Sequence, residues 1–195
     1  MPLPPPTAPR APLHRRQITL DGYRREDGLW DIEARLVDTK AYAFENAWRG
    51  TLTPGMALHD MSLRLTLDET YTVRDVAVSH DATPFPECPA ILPNFQKLIG
   101  ERIAKGWNQK VRDMLGGVAG CTHLVELLGP IGTVAFQTIA HDRYRDRSGQ
   151  GAPPQPPKGR RPPILDTCHA LASDSSVVER SYPDFYTGPK AAPTP

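Results

Sequence analysis

"ALHDMSLRLTLDETYTVRDVAVSHD", residues 57–81, is the stretch on which the fold turns. Met61, Leu63, Leu65 and Leu67 alternate with Ser62, Arg64 and Thr66. An apolar period of two puts one face of a strand on a core and leaves the other polar. Asp68-Glu69-Thr70 reads as a turn, and a second strand returns through Val73 to Asp81. His59 shares the parity of the leucines and is expected to point inward, whereas Asp60 is expected to point out.

Upstream, "HRRQITLDGYRREDGLWDIEARLVDTKAY" (residues 14–42) reads as a hairpin. Its strands lie near residues 16–25 and 29–40, about a turn at Glu26-Asp27-Gly28, where glycine accepts positive φ without steric cost. A loop is expected through "RGTLTPG", residues 49–55. Downstream of "SHDATPFPECPAILP" the period changes. Phe95, Ile99, Ile103, Trp107, Val111, Met114 and Leu115 recur at helical spacing, which predicts a helix over residues 94–115 ended by Gly116-Gly117. A second helix is predicted from about Thr122 to Arg145, with Pro130 as a kink. Strands followed by helices argue for an α+β fold, an antiparallel four-stranded sheet followed by two long helices packed on one face.

Proline accounts for 22 of the 195 residues, above the usual share of about 5%. It clusters in residues 1–12, in "GAPPQPPKGRRPP" (residues 151–163) and at the end of the chain. These segments predict a disordered arm over 1–12, a single domain over 13–188 with a Pro-rich linker at 149–163, and a disordered tail over 189–195. The segment "PILDTCHALASDSSVVERSYPDFY" (residues 163–186) is expected to form a short strand or turn packed back onto the domain.

A net charge of +1 argues against a nucleic-acid partner or an anionic membrane surface, and no apolar run of about 18 residues exists to span a bilayer. No apolar signal region opens the chain, so the expected location is cytoplasmic. In that compartment the three cysteines are thiols or metal ligands rather than a disulfide framework. Small-molecule and protein partners are not specified, and a homodimer stays open.

"GGVAGCTHLVELLG" (residues 116–129) places Cys121 and His123 at a helix start. There the dipole and the free N–H groups favour thiolate, the form that a nucleophile or a metal ligand requires. A thiol filling a tight Gly-flanked turn is the plainer alternative. Cys88 lies between prolines in "PECP", and Cys168 stands beside His169 in "DTCHAL". Cys88, Cys121, His123 and Cys168 could therefore form a Cys/His set for zinc or iron. His59, Asp60 and Glu126 are the candidate acid–base groups of a metal-assisted hydrolase or lyase. A metal-free enzyme with Cys121 as nucleophile and His59 or His123 as base is the competing class, and a non-enzymatic scaffold the third.

Taken together, "LHRRQITLDGYRREDGLWDIEARLVDTKAY", "LHDMSLRLTLD", the Pro-flanked Cys88, "GGVAGCTHLVELL" and "ILDTCHAL" resemble a proteobacterial group known as domain of unknown function 2889. The resemblance runs over about residues 13–188. It implies no established activity, but it does imply that His59, Asp60, Cys88, Cys121, His123 and Cys168 belong to a shared pattern. The layout is also similar to iron–sulfur scaffolds of the NifU and SufE type, although no Gly-Asp-Cys loop is present and the Cys–His order is reversed. That likeness concerns fold and does not set function.

The Pro-rich arm carries little apolar surface. Removing residues 1–10 is expected to leave the melting temperature within about 1 °C of the full chain, as measured by differential scanning calorimetry. A loss of several degrees would show that the arm is docked.

Overall fold

The alternation in residues 57–81 produces the centre of the molecule. A computed structural model describes residues 2–148 and 159–189. By its internal contacts the chain divides into two compact units, 1–150 and 151–195. In the first, strands β1 (His14–Arg24), β2 (Trp30–Lys40), β5 (Ala57–Leu67) and β6 (Val73–Ala82) form one antiparallel sheet in the order β1-β2-β5-β6. Helix α2 (Thr122–Ser148) lies across β1, β2 and β5.

Buried residues on the covered face follow the predicted parity. They are Trp30, Ile32, Ala34 and Leu36 on β2, and Met61, Leu63, Leu65 and Leu67 on β5. From α2 come Leu124, Leu127, Leu128, Ile131, Ala135 and Ile139, all fully buried. Gly22 on β1 lets the helix approach closely: a Cβ there would lie 2.0 Å from Thr138 Oγ1.

Only one of the two long helices expected from the sequence is present. The stretch predicted as a helix over 94–115 is instead an irregular 3-10 run (Cys88–Leu98), an extended segment, and a short helix α1 (Trp107–Leu115). Two causes are visible. Residues 94–98 continue a 3-10 run that begins at Cys88, with Pro89 at its start and Pro93 inside it, where neither proline offers a backbone donor. In the middle, Gly100 and Gly106 adopt positive φ, at 88° and 90°. The intervening backbone then bonds the start of β6 and the turn before it, through Val73 N–H to Glu101 O at 2.8 Å and Ile103 N–H to Tyr71 O at 3.0 Å. A tertiary ladder has outcompeted a local helix.

The expected loop at 49–55 also contains structure. Strands β3 (Phe44–Asn46) and β4 (Gly50–Leu52) form a small hairpin, its turn held by Asn46 Oδ1, which accepts from the N–H groups of Trp48 and Arg49 at 2.9 Å. Residues 2–13 form neither strand nor helix. The second unit contains 3-10 turns at His169–Leu171 and Pro183–Phe185 and one short helix, α3 (Ser176–Ser181), capped by Ser175. Residues 149–158 of the expected linker and 190–195 of the expected tail lie outside the described residues.

The β5–β6 turn depends on one carboxylate. Asp68 Oδ1 accepts from the N–H groups of Thr70 (2.8 Å) and Thr72 (3.0 Å), while Oδ2 takes Arg74 Nε at 2.8 Å. Burial pushes its pKa up, but these hydrogen bonds outweigh burial and bring it down to about 2. A lowered carboxyl stabilises the fold above its unfolded value, near 3.9, and loses that contribution as pH falls through about 2. Asp68→Ala is expected to cost roughly 1–3 kcal/mol at neutral pH, with the gap to the parent closing toward pH 2 in urea unfolding. A gap that stays constant with pH would refute this assignment.

Candidate functional site

At one end of the covered face the apolar pattern gives way to charge. Asp38 continues the inward parity of Leu36 on β2 and is 1% exposed. A buried carboxylate needs partners, because its desolvation is costly. The register supplies them: Arg16 of β1 and His59 of β5 both stand directly opposite Asp38. Arg16 donates from Nε to Oδ1 at 2.9 Å and from Nη2 to Oδ2 at 2.8 Å, a bidentate fork. His59 Nδ1 lies 2.9 Å from Oδ2, and His14 Nε2 lies 3.2 Å from Oδ1.

The first turn of α2 closes over this row. His123 Nε2 is 3.8 Å from Asp38 Oδ2, and its ring stacks on that of His59 with centroids 3.8 Å apart and a 33° tilt. Glu126, one turn further, accepts from Arg16 Nη1 at 2.5 Å. Cys121 stands just before the helix, its carbonyl accepting from Val125 N–H. Its Sγ is 3.9 Å from His123 Nδ1 and 3.8 Å from Met61 Sδ. On β6, His80 pairs in register with Met61, and both of its ring nitrogens are buried without a hydrogen-bond partner.

Charge states follow from these surroundings. Burial pushes the Asp38 pKa up, but the Arg16 fork and His59 prevail and hold it at about 2. Burial lowers the pKa of His59, with repulsion from His123 adding to it and Asp38 opposing. Burial and the Arg16 charge lower that of His123, against Asp38 and Glu126. At neutral pH His59 and His123 are therefore neutral imidazoles beside a carboxylate.

Among the described residues, Asp38, His59 and His123 form the one group of three His, Cys, Asp or Glu side chains with donor atoms all within 4.8 Å of one another. Of the residues singled out from the sequence, His59, Cys121, His123 and Glu126 gather here. Asp60 turns to the open face of the sheet, where Arg35 donates to it at 2.8 and 2.6 Å. Cys88 is half-buried at the start of the 3-10 run, and Cys168 is exposed in the second unit. Asp38, Arg16 and His14 were not singled out. The strand reading of residues 29–40 already gave Asp38 the parity of Leu36, so a carboxylate facing the core was the available signal. Arg16 and His14 become partners only through strand pairing.

A family model described as "Protein of unknown function (DUF2889)" matches residues 14–137. The chain belongs to that family, and the match spans every residue of the site just described. No curated protein and no solved structure matches the chain.

Removing one partner of a buried pair strands the other charge, whereas replacing both with apolar groups can be nearly neutral. Arg16→Met is expected to lower stability by roughly 1–3 kcal/mol, and Arg16→Met with Asp38→Leu to recover most of that loss in urea unfolding. A single variant as stable as the parent would show that the fork contributes nothing.

Proposed function

We propose that this family member is a metal-dependent protein in which Asp38, His59 and His123 hold a divalent transition ion, zinc or iron. The observation that carries the reading is the convergence of one carboxylate and two neutral imidazoles, with donor atoms within 4.8 Å of one another. Ligands at roughly 2.0–2.2 Å from one tetrahedral ion sit about 3.3–3.6 Å apart, so closure from within 4.8 Å requires side-chain movement of up to about 1 Å. Two imidazoles and a carboxylate favour zinc or ferrous iron over magnesium or calcium, which prefer all-oxygen shells. This donor set keeps His123 from the Cys/His group read in the sequence and takes its other members from the sheet rather than from Cys88 and Cys168.

Three protein ligands leave positions open, the pattern of a catalytic rather than a structural site. When bound, such an ion supplies Lewis acidity or an activated water for hydrolysis or elimination on a small molecule. Asp38 would be oriented by Arg16, which Glu126 in turn holds from the helix side. A second reading has its own observation: His123 presents Nδ1 to Cys121 and Nε2 to Asp38, the order of a thiol–imidazole–carboxylate triad. Hydrogen-bond reach for such a triad is about 2.6–3.2 Å, shorter than the 3.9 and 3.8 Å seen here, which favours the metal reading.

Elemental analysis and Co(II) titration of protein prepared without a His-tag test the proposal. One ion per chain is expected, with affinity falling more than ~10-fold in Asp38→Ala, His59→Ala and His123→Ala and little changed in Cys121→Ser. Binding that is absent in the parent, or unchanged in all three variants, overturns it. Chelator-insensitive loss of activity on alkylating Cys121 would favour the triad instead.

A further inference from the structure

The far side of the His123 ring is not used by the Asp38 group. There the side chains are soft. Cys121 Sγ lies 3.8 Å from Met61 Sδ and 3.9 Å from His123 Nδ1. Met61 is 1% exposed, the apolar residue next to His59 on the covered face of β5, and Cys121 is half-buried. A thiol beside a thioether makes only a weak hydrogen bond, so that contact alone gives little reason for two sulfurs to meet. The spacing has a second meaning. Two sulfurs bound to one ion at roughly 2.3 Å, with an angle between tetrahedral and trigonal, stand about 3.7–4.0 Å apart. A sulfur and an imidazole nitrogen on the same ion stand about 3.5–3.7 Å apart, so the 3.9 Å contact needs to close by only a few tenths of an ångström.

An independent observation comes from β6. His80 stands opposite Met61 in the register, on the same covered face, with both ring nitrogens buried and unpartnered. An unsatisfied buried imidazole costs stability, and native structures rarely keep one without a use. It places a further imidazole at the strand position paired with Met61.

We propose that Cys121, Met61 and His123 Nδ1 form a binding site for monovalent copper. Thiolate and thioether ligands select Cu(I) over the harder divalent ions that suit Asp38. The charges also balance: the Cys121 thiol releases its proton as the S–Cu bond forms, and one thiolate neutralises one Cu(I), which suits a buried location. The ion enters already reduced, so no electron transfer is required. The site shares only the His123 ring with the Asp38 group and does not depend on that group's holding a metal: Cu(I) on Nδ1 leaves the ring proton on Nε2, and occupancy of both sites at once releases that proton to give a bridging imidazolate.

The test is anaerobic competition for Cu(I) against a chromogenic Cu(I) chelator, using the full chain with Cys88→Ser and Cys168→Ser to remove the other thiols. One equivalent retained is expected, with two sulfur scatterers in X-ray absorption. Adding Cys121→Ser should weaken retention at least ~100-fold, Met61→Leu about 10-fold, and Asp38→Asn less than about 3-fold. Met61→Leu conserves volume, and circular dichroism confirms the fold of every variant. Failure of the background protein to retain Cu(I), or equal retention after Cys121→Ser, overturns this site. Loss of Co(II) binding in Asp38→Asn with Cu(I) retained would separate the two sites, and loss of both together in that variant would overturn their independence.

Discussion

A carboxylate buried at the edge of an apolar sheet face is the constraint on which this structure depends. Asp38 sits where the alternation of β2 demands a core residue, and it is almost wholly removed from solvent. A charge in that position is tolerable only if it is satisfied from several sides. Arg16 arrives from one neighbouring strand, His59 from the other, His14 from the start of β1 and His123 from the helix above. The register of three strands and the seat of α2 are thus tied to one side chain.

The covered face grades from packing to chemistry along the strands. Over Trp30 to Leu36 and Met61 to Leu67 it is a close-packed apolar layer against α2. One alternation further, the same parity yields Asp38 and His59. Close approach of the helix at Gly22 and Thr138 fixes the far end of α2, so its first turn meets the polar end rather than drifting over it. Anchoring a site beside a rigid core is the arrangement that best holds side chains in register.

The opposite face of the sheet shows the contrast. Its ion pairs, Arg35 with Asp60 and Arg64 with Glu33, are exposed on the arginine side and involve no histidine. Such pairs contribute little and are screened by salt. The histidine chemistry therefore gathers on the covered face. Five of the six histidines stand on the strands of this sheet and α2, and four of them, His14, His59, His80 and His123, lie toward the polar end, with His141 near the far end of α2.

What was legible in the sequence was whatever a period or a turn residue encodes locally. Alternation placed β5 and the parity of His59, Asp-Gly marked the first hairpin, and the apolar run after Cys121 marked α2, because side-chain direction in a strand or helix repeats along the chain. The helix over 94–115 was misread for a physical reason. Its apolar residues do recur at helical spacing, but the positive-φ glycines Gly100 and Gly106 break the run and let the backbone between them pair with Tyr71 and Val73 at the start of β6. The site was half legible: His59, Cys121, His123 and Glu126 stood out by residue type and position. The partners that give them meaning did not. Arg16 meets Asp38 across 22 residues of sequence, and Glu126 meets Arg16 across 110. Met61 read as core until the fold set a thiol beside it. Local backbone preference could announce strands and a helix start; only the pairing of distant strands and the docking of α2 could decide which charges and sulfurs share a buried space.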